Sequence, residues 1–103
     1  MKEKIISDLQ DKLKSRYRDF YGLYLFGSQA RKTSTIQSDW DIAIIFDRTI
    51  DWKFKDEVRS LVYDVMLQHN VVIDSHIYSR EEIVVPKTPF REMLKSKGIF
   101  YAS

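Results

Sequence analysis

The chain has 103 residues, 44% apolar, 31% charged and 14% aromatic, with a formal net charge of only +2. This is the composition of a globular chain with one hydrophobic core, and its size suits a single domain, expected over residues 1–103. Lys and Arg alternate with acids, as in "KSRYRD" and "KFKDEVR", so there is no basic stripe and direct nucleic-acid binding is not expected. The absence of cysteine excludes disulfides, thiolate zinc sites and cysteine nucleophiles. No apolar run reaches the roughly 18–20 residues needed to cross a bilayer. The first turns mix acids with bases, unlike a signal peptide, and a cytoplasmic location is the expectation.

From Lys2 to about Phe20, the apolar residues Ile6, Leu9, Leu13, Tyr17 and Phe20 recur at spacings of three and four. That periodicity predicts an amphipathic helix, which Gly22 is expected to end. Leu23 to Phe26 reads as a short strand. Asp41 to Phe46 reads as a second, with Ile42, Ile44 and Phe46 on one face and Asp41, Ala43 and Ile45 on the other. Phe54, Val58, Leu61, Val62 and Val65 then predict a helix from about Asp51 to His69, with Asp51 as N-cap.

"VVIDSHIY", from Val71 to Tyr78, is a third strand. Ser79 followed by Glu82 forms a capping-box pattern, so a short helical turn follows. Thr88-Pro89 opens a last helix that runs to about Lys97 and stops at Gly98, leaving "IFYAS" as a tail or short strand. This alternation predicts an α/β (α+β) fold, with one small mixed sheet and its helices mainly on one face.

Acids stand where a plain strand has no use for them, because Asp is depleted in strands. Asp39 and Asp41 are two apart at a strand entrance and therefore share a face, opposite a core face of Trp40, Ile42, Ile44 and Phe46. Asp74 lies within the next strand, with Ile73 and Ile77 on its opposite face. If the two strands are neighbours, three carboxylates converge, and their repulsion calls for a cation. Hard oxygen donors of this kind suit Mg²⁺.

Gly27-Ser28 follows the first strand directly. Glycine permits a sharp turn and a close approach to a ligand, and a helical turn begun at Ser28 would offer N–H groups and a hydroxyl to phosphate. Metal-binding acids facing a phosphate cradle are the parts of phosphoryl or nucleotidyl transfer. Singly, each part has a plainer reading as a turn, a cap or an edge position. Their order and spacing are far more specific.

The segment "GSQARKTSTIQSDWD" places ten residues between Gly-Ser and Asp-x-Asp, which resembles the signature of the DNA polymerase beta nucleotidyltransferase superfamily. "LYLFGSQAR", "SDWDIAIIF" and "VVIDSHIYS" resemble the minimal nucleotidyltransferases, including the MntA-type antitoxins of HEPN–MNT toxin–antitoxin pairs. "TPFREMLKSKGIFYAS" is similar to the terminal helix, glycine and aromatic tail of that group.

The resemblance implies a nucleotidyltransferase fold and a Mg²⁺-dependent enzyme, with two ions and ATP as substrate. It implies that Gly27 and Ser28 hold the triphosphate, with Arg31 near the phosphates. Asp39 and Asp41 become metal ligands, and Asp74 a third carboxylate that helps bind metal and accepts the proton of the attacking hydroxyl. The implied reaction moves AMP to a protein hydroxyl, a tyrosine of a partner HEPN toxin, in a hetero-oligomer whose antitoxin is this chain. A binding-only antitoxin with a vestigial site, or transfer to a small molecule such as an aminoglycoside, are the alternatives.

Two departures stand out: Lys32 where the family often has Gly, and Trp40 between the acids, read as core. His76 shares the face of Asp74 and reads first as a hydrogen-bonded polar residue, and His69 as a favourable charge at a helix end.

Overall fold

The computed structural model describes residues 2–27, 39–85 and 87–103. In chain order the elements are α1 (Lys2–Arg16), β1 (Phe20–Phe26), β2 (Trp40–Phe46), α2 (Trp52–His69), β3 (Ile73–Ser79), α3 (Arg80–Val84), α4 (Pro89–Lys97) and β4 (Ile99–Ala102). The strands form one four-stranded sheet in the order β3-β2-β1-β4. β1 runs antiparallel to β2 and β4, and β2 runs parallel to β3, so the sheet is mixed. Parallel neighbours cannot be joined by a tight turn, and α2 supplies the required crossover.

The local signals in the sequence set most of these boundaries. Asp51 caps α2 by accepting a hydrogen bond from the Phe54 N–H at 2.8 Å. The helix ends on Asn70, whose left-handed φ of 53° is one that asparagine tolerates. Ser79 and Glu82 exchange both bonds of a capping box at the start of α3. Thr88 caps α4, Pro89 occupies its first turn, and Gly98 closes it.

Helix α1 ends earlier than its apolar spacing predicts, at Arg16 rather than near Phe20. Tyr17 and Phe20 keep to the buried side while the chain passes through a turn into β1, so the three-residue interval survives without a helix. Gly22 therefore does not end a helix. It lies within β1, where a side chain would meet the Phe100 ring and come within 2.8 Å of the Tyr101 carbonyl oxygen. The closing segment is a strand, β4, paired with β1 from Leu25–Ile99 to Gly22–Ala102.

The two long helices, α1 and α2, cover one face of the sheet. Leu9, Leu13, Val58 and Val62 pack there on Leu23, Leu25, Ile42 and Ile44. On the other face, Ile83 of α3 and Leu94 of α4 bury Phe26, Ala43 and Ile45. The expectation that β2 has only one core face is thus corrected: Ala43 and Ile45 are as fully buried as Ile42 and Ile44. An interior strand covered on both sides reads as a nearly continuous apolar run, which "WDIAIIF" is after its aspartate. Among the described residues, no helix is long and apolar enough to cross a membrane.

This packing has a measurable consequence. Ile44→Ala is expected to cost about 2–5 kcal/mol, the range for a fully buried large-to-alanine change. Asp51→Ala, which removes only a cap, is expected to cost about 1 kcal/mol. Denaturant midpoints at constant m-value check the order, and a smaller shift for Ile44→Ala than for Asp51→Ala would contradict the described core.

Candidate active site

Asp41 and Asp74 on their strands, with Gly27 just after β1 and Asp39 just before β2, meet where β1 ends and β2 and β3 begin. The β2–β3 ladder sets Asp41 directly beside Asp74. On the other side of β2, Phe26 is the register partner of Asp41, and Gly27 is the next residue along the chain. The ladder is extended by one bond from the Trp40 N–H to the Val72 carbonyl at 2.9 Å, which anchors the entrance of β2 next to Asp39. Side chains two apart on a strand share a face, so His76 stands on the same side as Asp74.

The environments of the three acids differ. Asp39 is exposed just before β2, Asp41 is half-buried, and the Asp74 side chain is 61% exposed on an edge strand. Gly27 adopts a left-handed φ of 72°, and a Cβ there would collide with the Asp41 carboxylate. Only glycine satisfies both the backbone angle and the close approach.

Burial, then the neighbouring charge of Asp74, hold the Asp41 carboxyl above its ordinary range, with His76 opposing and Asp39 adding the smallest part. The His76 Nε2 lies 3.4 Å from the Asp74 Oδ2. Its ring is flanked by Phe26 and by Phe90 of α4, with centroids 5.7 and 5.2 Å away.

Gly27, Asp39, Asp41 and Asp74 are therefore brought to one end of the sheet. Ser28 and Arg31 lie outside the described residues. His69 is tied elsewhere, its Nε2 2.6 Å from the Asp8 Oδ2, so it links α2 to α1. Sequence spacing found His76 but not Phe90, because nothing local shows that α4 folds back over β3.

The donor chemistry fits a divalent ion of the Mg²⁺ kind. Among the described residues, no three His, Cys, Asp or Glu side chains close up as a ready-made metal cluster. Mg²⁺ takes one or two carboxylates and completes its shell with water and phosphate oxygens, which matches the adjacent pair Asp41 and Asp74. Burial raises the Asp41 carboxyl most, and the repulsion from Asp74 that adds to it is the charge excess that a bound cation would offset. A concavity of about 670 Å³, lined by Asp11, Arg16, Glu57 and Asp64 among others, lies between α1 and α2 on the opposite side of the sheet.

Fold and site together define a nucleotidyl-transferring class of enzyme, and comparison with known proteins agrees. Residues 3–89 match the family "Polymerase beta, Nucleotidyltransferase", and the chain belongs to that family. A Methanocaldococcus jannaschii protein, MJ0604, inferred to be a protein adenylyltransferase, is 38% identical over 80 residues, covering 77% of this chain and 75% of its own length. A Sulfolobus solfataricus structure inferred to be a nucleotidyltransferase superposes with a TM-score of 0.65 at 16% identity, covering 95% of this chain and 77% of its own. A toxin–antitoxin solved with AMP-PNP gives a TM-score of 0.69 at 20% identity, covering 92% of this chain and 70% of its own. A mutant of the toxin–antitoxin MntA-HpeT gives 0.66 at 17% identity over the same shares, 92% and 70%.

The charge on Asp41 leads to a prediction. Its carboxyl is raised relative to the unfolded chain, so ionising it costs stability above the unfolded value, and that cost is relieved as pH falls through the folded value. With chelator present at neutral pH, Asp41→Asn is expected to raise the melting temperature by a few degrees. Adding Mg²⁺ or Mn²⁺ is expected to raise the wild-type melting temperature more than that of the variant. A variant less stable than wild type in chelator would contradict an uncompensated charge at this position.

Proposed function

We propose that this chain is a Mg²⁺-dependent protein adenylyltransferase that moves AMP from ATP to a hydroxyl, a tyrosine of a partner HEPN-type toxin, and so acts as its antitoxin. The observation that carries the reading is the parallel register that sets Asp41 beside Asp74, facing the glycine at the end of β1. The inferred protein adenylyltransferase of Methanocaldococcus jannaschii supports the reaction type. The toxin–antitoxin neighbours support the partner, and AMP-PNP in one of them supports an adenine nucleotide. The described elements share one sheet and its two buried clusters, which supports reading residues 1–103 as one domain. Use of ATP and a cysteine-free chain suit a cytoplasmic setting.

In this reading Asp39, Asp41 and Asp74 would hold two Mg²⁺ ions, which when bound would supply charge neutralisation and polarise phosphate oxygens. Gly27 lets the backbone approach the triphosphate closely, and Ser28 and Arg31 complete the phosphate contacts. The acceptor oxygen attacks the α-phosphorus in line, and the bond from that phosphorus to the pyrophosphate breaks. Asp74, the most exposed of the strand-borne acids, takes the proton of the attacking hydroxyl. Pyrophosphate leaves and AMP remains on the acceptor.

The experiment co-incubates the chain with its toxin partner, ATP and Mg²⁺, and weighs both proteins by mass spectrometry. An AMP adduct on the toxin is expected. Asp39→Ala or Asp41→Ala should lower its rate of formation by about 10²–10⁴-fold, the scale of several kcal/mol of charge stabilisation. Full neutralisation of the toxin by the double variant, with no change of mass, would overturn transfer in favour of simple binding.

A further inference from the structure

His76 sits in a built environment that the two-carboxylate chemistry alone does not explain. The β2–β3 register sets it beside Ala43, a fully buried residue with the shortest side chain on that face of β2. A methyl group there leaves room for rings from both neighbouring strands, and Phe26 and His76 approach each other across it. Phe90, in the first turn of α4, closes the group by contacting both rings, 5.4 Å from Phe26 and 5.2 Å from His76 between centroids. Tyr78, two residues further along β3, extends the cluster to Phe90 at 6.4 Å.

The ring cluster has a polar outcome. An imidazole packed against two rings that also touch each other is braced along one side, and this one directs Nε2 to 3.4 Å from the Asp74 Oδ2. Among the described residues, little else orients Asp74, which is on an edge strand with its side chain 61% exposed. A carboxylate that must meet both a cation and an incoming hydroxyl gains from being held in one rotamer, because misplacement by about 1 Å can cost about 10²-fold in rate.

We propose that His76 is a positioning residue that holds the Asp74 carboxylate in its working orientation, with Phe26 and Phe90 bracing the imidazole; this rests on the nucleotidyl-transfer reading of the acid pair. The family match ends at residue 89, so Phe90, one of the two bracing rings, belongs to the part of the chain beyond it. Helix α4 thereby sets the geometry of a site to which it contributes no acid.

Two readouts test the proposal. The first needs no turnover: imidazole ¹⁵N spectra of the nucleotide-free protein, which has two histidines to resolve. Asp74→Asn is expected to shift the His76 resonances and leave those of His69 in place, whereas Asp8→Asn should do the reverse. A His76 signal indifferent to Asp74→Asn overturns the contact.

The second readout is AMP transfer to the toxin. His76→Phe keeps a ring against Phe26 and Phe90 and removes the nitrogen. It is expected to retain the wild-type melting temperature and the KM for ATP, yet lose about 10–100-fold in kcat, the usual scale for a supporting partner of a metal-site ligand. His76→Gln, which returns an N–H at similar reach, should recover most of the loss. Wild-type kcat in His76→Phe, or no recovery in His76→Gln, overturns positioning by the imidazole. If the wild-type chain transfers no nucleotide at all, the functional reading fails, while the spectra still decide whether His76 holds Asp74.

Discussion

Two carboxylates lie side by side in this molecule because a helix carries the chain back to start a second strand parallel to the first. The β2–α2–β3 crossover fixes the register in which Asp41 neighbours Asp74. A shift of one residue would send Asp74 to the core face, where Ile73 and Ile77 now lie almost fully buried. Burial of the apolar alternates is thus what keeps the acids together against their repulsion. The driving force is hydrophobic and the product is electrostatic: the core holds a charge pair that by itself would come apart. Gly27, with its left-handed backbone, closes the third side without intruding on Asp41.

The second face of the sheet does more than shield β2 from water. At the far end from the acids it is ordinary core, with Ile45, Ile83 and Leu94 buried together. Toward the acids it becomes aromatic, through Phe26, His76 and Phe90. The transition coincides with the change along β2 from Ile45 through Ala43 to Asp41, that is, from large apolar to small to charged. One strand therefore grades from core into candidate site in three alternating residues, and the helices over that face are α3 and α4. The opposite face, under α1 and α2, carries the bulk of the apolar packing and supports β2 from behind.

Much of this was legible because it is written in local patterns. The caps at Asp51, Ser79 and Thr88 depend on residues three apart, and each forms as its spacing requires. The alternation in β2 assigned Asp41 to one face and Ile42 and Ile44 to the other with no knowledge of the neighbours. The less legible features all depend on partners far along the chain. Gly22 resembles a helix stop until Phe100 of β4 is seen to lie over it. Ala43 and Ile45 look half-exposed until α3 and α4 are placed on them. The contact of Phe90 with His76 depends on α4 packing back onto β3, which ends ten positions before the helix begins. The usual rule for open α/β sheets places ligands beyond the carboxyl ends of parallel strands, whereas these acids lie at the amino ends of β2 and β3, next to the carboxyl end of β1. Identity of the acids, rather than topology, is what points to the candidate site.

The central claim is that a divalent cation and nucleotide meet at the Asp41–Asp74 pair. The most direct measurement is paramagnetic line broadening by Mn²⁺ in ¹H–¹⁵N spectra of the chain, recorded with a non-hydrolysable ATP analogue. The account predicts that the amides of Gly27, Asp41 and Asp74 broaden first and that Asp74→Asn with Asp41→Asn abolishes the effect. Broadening centred instead on Asp11, Glu57 and Asp64, in the groove between α1 and α2, with the β2–β3 amides left sharp, would contradict it.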